Sequence, residues 1–247
     1  MRLGVALLAP PPFDTEVDAF RRALEDGSRG RIPPHLTLVP PVNVAADRLS
    51  DVLAVLRVAG WVAAPFRAVF GPPATFLPDN PVLYLPVVEG VEEVRALRDR
   101  VFVEPLDRPL TWPFVPHVTL ADGASPERIA AARIALAGYR ATVDFDRVHL
   151  LRQRDDRVWS PIAEVPLGPP MVRGRGGLPV ELSLTARADP EAAALLAEGA
   201  SRQSVVTARR DGAVAGVVVL ALGEGEEALG TGDHLQDALR RSASPED

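Results

Sequence analysis

Apolar positions along the first two thirds of the chain switch repeatedly between two spacings, and each switch marks an element. An unbroken apolar run over residues 3–9 predicts a buried strand. Residues 14–24 carry Val17, Phe20 and Leu24 on one side, the pattern of a helix opened by Asp14 and Thr15. Leu49, Val52, Leu53 and Leu56 repeat that spacing, and Gly60 is expected to stop the helix they form. Residues 66–70 and 82–88 read as strands joined by a Pro-rich loop, followed by a helix over 91–102 with Val94, Leu97 and Val101 turned inward. Ser125 and Pro126 supply the cap and first turn of a helix reaching residue 136, and strands over 142–151 and 158–165 close the region.

Two short segments inside this pattern are near copies of each other: Pro34-His35-Leu36-Thr37-Leu38 and Pro116-His117-Val118-Thr119-Leu120, separated by 117 − 35 = 82 residues. Each reads as a strand, in which side chains alternate between faces. Leu36 and Leu38, like Val118 and Leu120, then point into a core, and an imidazole and a hydroxyl share the other face. Both copies are entered from a loop after Pro, the first running into Pro40-Pro41 and the second ending at Asp122-Gly123, so both sit at strand and loop junctions where sites concentrate. The order strand, helix, His-Thr strand, helix, strand occurs twice in outline. It predicts an α+β fold of two pseudo-symmetric lobes, with the two motifs facing each other across a central cleft.

Composition narrows the chemistry of that cleft. The chain has no Cys, which removes thiolate nucleophiles, disulfides and Cys-ligated zinc. It also has no Lys, so all 27 cationic side chains are Arg and lysine-based phosphate, Schiff-base and pyridoxal chemistry is excluded. The four His include no His-Glu-x-x-His spacing, so neither a metal site nor a cofactor is expected, and metal-free acid/base chemistry or simple binding remains. A net charge of −6 argues against long duplex nucleic acid as a partner, while leaving room for an Arg to hold one phosphate. No apolar stretch approaches a membrane span, and the opening MRLGVALLAPP is ended by Pro too soon for a signal peptide; a cytoplasmic location is expected.

The two motifs, HLTL at 35–38 and HVTL at 117–120, and their surroundings PPHLTLVPP and PFVPHVTLA, resemble the 2H phosphoesterases, also called the 2',5' RNA ligase-like or cyclic phosphodiesterase superfamily, whose signature is a pair of His-x-Thr-x motifs. The resemblance covers residues 1–168. It implies a two-lobed fold and a metal-independent phosphodiesterase acting on a small nucleotide or RNA-end phosphodiester, with ligation as the reverse reaction. The site itself reads the same way. Opening a cyclic phosphate needs one proton taken from the attacking oxygen and one given to the leaving oxygen, which His35 and His117 can divide between them in an order the sequence does not fix. Thr37 and Thr119 would donate hydrogen bonds to the non-bridging oxygens.

Four further residues are candidates for holding substrate. Arg31 and Arg152, with Arg154 beside the latter, could pair with phosphate, and Trp112 and Phe114 could stack a base. His149 reads as structural, and Asp155-Asp156 as a hairpin turn. A Pro/Gly/Arg-rich linker at 169–177 precedes a different pattern over 178–247: a strand at 180–186, a helix at 189–198, and two apolar strands joined by Asp211-Gly212. This segment resembles the first part of a GNAT acetyltransferase domain. However, Glu227 stands where the coenzyme A turn, here at 227–232 before a helix over 234–241, carries Arg or Gln. A truncated lobe used for packing, or for a homodimer, is the expectation, with acyl transfer from acetyl-CoA, a silent phosphate-binding module and a general interaction protein as the other classes.

Overall fold

The first apolar run forms strand β1 (Arg2–Leu8) in the computed structural model, which describes residues 1–168, 171–173, 179–185, 204–210 and 213–220. It is followed by α1 (Phe13–Ala23), β2 (His35–Asn43), α2 (Leu49–Val62), β3 (Phe66–Phe70), β4 (Ala74–Thr75), β5 (Val82–Glu89) and α3 (Val91–Val101). Then come β6 (His117–Asp122), α4 (Pro126–Ala135), β7 (Ala141–Phe145), β8 (Arg147–Gln153) and β9 (Trp159–Pro166). The chain divides into two units, Met1–Gly168 and Pro169–Asp247.

In the first unit all nine strands join one sheet, ordered β7-β3-β5-β6-β2-β1-β8-β9 with β4 on β5. Every pairing in it is antiparallel. The duplicated order is visible here, since β1-α1-β2 and β5-α3-β6 each place a His-Thr strand beside the strand that precedes its helix. The two His-Thr strands do not oppose each other across a gap between lobes, as the sequence reading expected. They are the two central neighbours of one continuous sheet.

The stretch over residues 142–151, expected as one strand, is two. Asp146 alone separates β7 from β8, yet five strands lie between them in the sheet. Six flat strand spacings would set them about 29 Å apart, whereas two residues span at most about 7 Å. The sheet must therefore curl until those ends meet. The corner shows in the alternation as a change of phase, since the buried positions run Val143, Phe145 and then Val148, Leu150; one strand over 142–151 is expected only because the stretch is apolar on both sides.

The core lies on one face. Leu3, Val5 and Leu7 of β1, Leu36 and Leu38 of β2, and Val118 and Leu120 of β6 join Val17 of α1, Leu56 of α2, Leu97 of α3 and Ile129 of α4 in a single buried cluster. Each fully buried aliphatic side chain contributes about 1.5–3 kcal/mol, so this face fixes the strand registers from which the opposite face is built. Ser125 caps α4 as predicted, its Oγ accepting from Arg128 N–H at 3.3 Å. Gly60 does not end α2. It lies inside the helix, where a Cβ would fall 2.6 Å from Val165 Cγ1 and 2.7 Å from Pro166 O, so glycine lets α2 press onto β9.

The second unit's described strands are β10 (Met171–Arg173), β11 (Pro179–Thr185), β12 (Ser204–Arg210) and β13 (Ala213–Leu220), consecutive neighbours in an antiparallel sheet. The expected strand at 180–186 corresponds to β11, and the two apolar strands expected on either side of Asp211-Gly212 correspond to β12 and β13, which pair antiparallel; residues 211–212 lie outside the described residues. The helix expected at 189–198, the turn at 227–232 and the helix at 234–241 lie outside the described residues.

Gly90 caps α3 at φ +84°, and a Cβ there would fall 2.5 Å from the Arg67 carbonyl oxygen. Gly123 has a similar φ of +78° but nothing within 4 Å. Gly90→Ala should therefore cost about 2 kcal/mol or more in denaturant unfolding and Gly123→Ala about 1 kcal/mol, since only the first adds a backbone collision to the left-handed conformation. Equal losses would show that the α3 entry relaxes freely.

Candidate active site

β2 and β6 meet at Leu36 opposite Val118. One step along an antiparallel pair in each direction sets His35 across from Thr119 and Thr37 across from His117. On β1, Leu8 lies opposite His35 and Ala6 opposite Thr37. On β5, Tyr84 lies opposite Thr119 and Pro86 opposite His117. Two rows thus cross the face away from the core: Leu8, His35, Thr119, Tyr84 and Ala6, Thr37, His117, Pro86. The four motif side chains form a rectangle with imidazoles on one diagonal and hydroxyls on the other. Diagonal neighbours of this kind have Cβ atoms about 7–8 Å apart, room for one tetrahedral group to touch all four.

The burial alternation matches: Leu36, Leu38, Val118 and Leu120 are buried, and His35, Thr37, His117 and Thr119 are partly exposed. Each imidazole is fixed by its own approach loop. His35 Nδ1 lies 2.8 Å from the Pro33 carbonyl oxygen and His117 Nδ1 lies 2.6 Å from that of Val115. A carbonyl only accepts, so Nδ1 carries the hydrogen in both rings and Nε2 is the nitrogen not committed to that bond. The Pro before each His contributes to this geometry by holding the loop extended.

The two rings differ in surroundings. Burial pushes the His35 pKa down to about 4, against the pull of its Pro33 hydrogen bond and with help from the charges of Arg21 and His117. Burial also lowers His117, partly offset by the Val115 carbonyl. His117 is walled by aromatic rings: Phe76 meets it edge-on at 5.3 Å between centroids, and Tyr84, stacked on Phe76 at 4.2 Å, lies 5.0 Å away. Beside His35 and Thr37 is a small cavity of about 80 Å³ closed by Gly4, Val39, Leu151 and Trp159. Trp159 also walls a larger depression of about 370 Å³ that includes Arg31, Ile32 and Pro33.

The substrate-holding candidates are dispersed. Arg31 is exposed; its carbonyl accepts from Trp159 N–H at 2.7 Å, which ties β9 to the loop before the first motif. Arg152 pairs with Leu3 on β1, a core-facing position, so it leaves the sheet on the face opposite His35 and Thr37 and lines a surface depression with Met1, Arg2 and Arg154. Trp112 is 70% exposed on the loop before β6. Phe114 is partly buried, with the Arg98 guanidinium 4.5 Å from its ring centre. His149 is buried at 7% exposure, with Glu164 3.7 Å from its Nε2. The Asp155-Asp156 turn is present, with Val158 N–H donating to Asp156 Oδ1 at 3.0 Å.

Sequence reasoning missed Trp159, Tyr84, Phe76 and Arg21. Trp159 could have been reached by counting back through the β8-β9 hairpin to Gly4, the one site-face position of β1 without a side chain. Arg21 lies on the apolar stripe of α1, four residues after Val17 and one after Phe20, where a charged residue is out of pattern. Among the described residues no group of three His, Asp or Glu stands together as a metal site, and no helix is long and apolar enough to cross a membrane.

Comparison with known proteins places residues 9–157 under the profile of the 2'-5' RNA ligase superfamily. A protein of Bacillus pumilus (strain SAFR-032) that bears the name "Putative phosphoesterase" is 30% identical over 164 residues, 65% of this chain and 94% of its own. The similarly named OB1230 of Oceanobacillus iheyensis is 27% identical over 162 residues, again 65% and 94%. Among solved structures, TT0787 of Thermus thermophilus aligns at a TM-score of 0.46 and 23% identity, covering 68% of this chain and 98% of that one. E. coli LigT complexed with 3'-AMP aligns at 0.44 and 18%, covering 67% and 97%.

A histidine whose pKa is lowered by folding binds fewer protons in the native than in the unfolded state, so the native state loses stability as pH falls from about 6.5 towards about 4. Unfolding free energy should drop over that window by an amount on the order of 2 kcal/mol, and less in His35→Asn. Imidazole proton resonances should place His35 near pH 4, with His117 below the ordinary histidine range. A His35 titrating near 6.5 would show that water reaches the ring freely.

Proposed function

This chain belongs to the 2'-5' RNA ligase superfamily, and from that premise we propose that it is a metal-independent phosphoesterase that opens a 2',3'-cyclic phosphate or related phosphodiester on a small nucleotide or RNA end. The observation that carries the reading is the rectangle of His35, Thr119, His117 and Thr37 set by the Leu36 and Val118 pairing. With the phosphorus between the imidazoles, one Nε2 takes a proton from water as its oxygen bonds to phosphorus. The other Nε2 gives a proton to the ribose oxygen as that P–O bond breaks. Solvent then restores both rings. Thr37 and Thr119 hold the two non-bridging oxygens where charge grows.

The lower pKa of His35 supports it as the base in hydrolysis, because the base must be neutral, and His117 as the acid; the reverse, ring-closing reaction would exchange the roles. The anionic substrate would raise both rings, and His117, lowered by burial and not by a neighbouring charge, is the better placed to keep a proton. Trp159, next to His35 and Thr37, supports an aromatic or apolar group of the substrate resting on β9. Arg31 opens on the neighbouring depression and is kept as a phosphate contact, with Trp112 and Phe114 as secondary stacking candidates. Residues 1–168 are proposed to carry the activity, and the second unit to serve packing or a homodimer in a cytoplasmic protein.

Turnover of a cyclic nucleotide should persist in excess EDTA, and His35→Ala and His117→Ala should each lower kcat by about 10²-fold or more, with the double variant well short of the product of the two. Near-normal turnover in either single variant would defeat the assignment. Trp159→Ala should raise KM more than it lowers kcat, a pattern a structural tryptophan would not give. Residues 1–168 alone should keep kcat and run as a monomer, or self-associate less than the full chain, by light scattering; a folded but inactive fragment would place part of the site in the second unit.

A further inference from the structure

We propose that Arg21 is a positioning residue that joins the two His-Thr motifs from behind the sheet and makes the two halves of the site chemically unequal. Nothing in the duplicated motif calls for it, and the proposal rests on the reading of the His-Thr face as a phosphoesterase site. Its geometry is specific. Arg21 projects from α1 and is 1% exposed. Its Nε donates to the Thr119 carbonyl oxygen at 3.2 Å, and its Nη1 donates to the Ile32 carbonyl oxygen at 3.0 Å.

Those two acceptors belong to different motifs. Thr119 is itself one corner of the rectangle. Ile32 immediately precedes Pro33, whose carbonyl fixes His35 Nδ1. One rigid guanidinium fork therefore sets the spacing of Thr119 and His35, the pair that stand across from each other. It does so where the ladder is thin: β2 has nine residues and β6 six, yet Leu36 with Val118 is the one register pair they share. Beyond that pair, towards the start of β2, the side-chain bonds of Arg21 take the place of missing ladder bonds. Asp26, in the loop after α1, extends the tie by accepting from Asp122 N–H at 3.1 Å.

The charge acts on one ring only. Arg21 faces Asp18 of its own helix at 4.0 Å and feels Asp26, while His35 is opposed by Arg21 from α1 and by His117 from β6. His117, by contrast, is lowered by burial and held up by the Val115 carbonyl. A guanidinium does not give up its proton, so Arg21 is a fixed bias against a second positive charge at His35. Duplication alone would give two equivalent imidazoles. Arg21 favours the neutral form at one of them, which is what a division into base and acid requires.

The test uses the full chain with Arg21→Lys and Arg21→Met, each checked for a native circular dichroism spectrum. Lysine keeps the charge but can satisfy the two carbonyls only by moving between them; methionine removes both charge and donors. Arg21→Met should lower kcat about 10-fold or more with KM changed less, and should move the His35 proton titration and the acid limb of kcat/KM upward towards the ordinary histidine range. Arg21→Lys should lose part of kcat while keeping His35 low. A folded Arg21→Met with wild-type kcat and an unmoved His35 titration overturns the proposal. If methionine prevents folding, Arg21→Lys with undiminished kcat overturns it instead. The titrations are read without substrate, so they decide the role of Arg21 even if the wild-type protein turns over no cyclic phosphate, a result that would fall on the proposed function alone.

Discussion

Everything on the open face of this sheet depends on the seam between β2 and β6. Strands that share one register pair are held less by their own ladder than by what lies on either side. On the core side, Leu36, Leu38, Val118 and Leu120 are buried at 1% exposure or less and cannot slip by one residue without exchanging faces with His and Thr. At the end near His35, Arg21 bridges the carbonyls of Ile32 and Thr119. Burying a guanidinium is costly unless its donors are used, and here they are committed to the two backbone segments whose separation sets the distance from His35 to Thr119. Because the seam is lightly bonded, small errors in it would move a hydroxyl against an imidazole, and the surrounding packing has to supply the rigidity.

The pseudo-twofold relation explains both the repeat and its limits. Each motif takes its orientation from a carbonyl two residues upstream, so both imidazoles present Nε2 in the same tautomer. A symmetric acceptor for a phosphate is the natural product of such a duplication, but a reaction that moves protons in one direction needs unlike partners. The differences are found one strand out. Where Tyr84 adjoins Thr119, Ala6 adjoins Thr37; aromatic rings crowd His117, while Gly4 opens a hollow beside Thr37 that Trp159 roofs. The half around His117 is filled and apolar, and the half around His35 is hollow and lies in the field of a buried cation.

Much of the fold was legible because its faces are cleanly divided. The alternation through HLTL and HVTL named the core residues and the site residues at once, and the elements from β1 to α4 follow from apolar spacing with shifts of one or two residues at their ends, except that β2 runs on through Pro40-Pro41 to Asn43 and the short β4 lies in what read as a Pro-rich loop. Three things were less legible, each for a physical reason. The corner at Asp146 shows only as a change of phase, Val143 and Phe145 then Val148 and Leu150, inside a stretch that is apolar throughout. The adjacency of the two motifs depends on sheet order, which is set by long-range packing that local periodicity does not carry. Gly60 was read as a stop because glycine ends many helices; only the contact with Val165 and Pro166 shows that it serves close approach.

Side chains near the site were the least legible, because proximity in sequence is a poor guide on a curled sheet. Arg31 lies four residues before His35, yet its carbonyl rather than its side chain makes the hydrogen bond to the site wall. Arg152 adjoins Leu151, which lines the hollow beside Thr37, but alternation sends the two to opposite faces. Arg21 is fourteen residues from His35 and 98 from Thr119, and it touches the backbone of one motif and the approach to the other. What distinguishes it in sequence is a violation: a charge on the apolar stripe of an otherwise ordinary amphipathic helix. A buried charge persists only where the surrounding groups over-determine its position, so a break in pattern of this kind points to the places where a fold has given up stability for geometry.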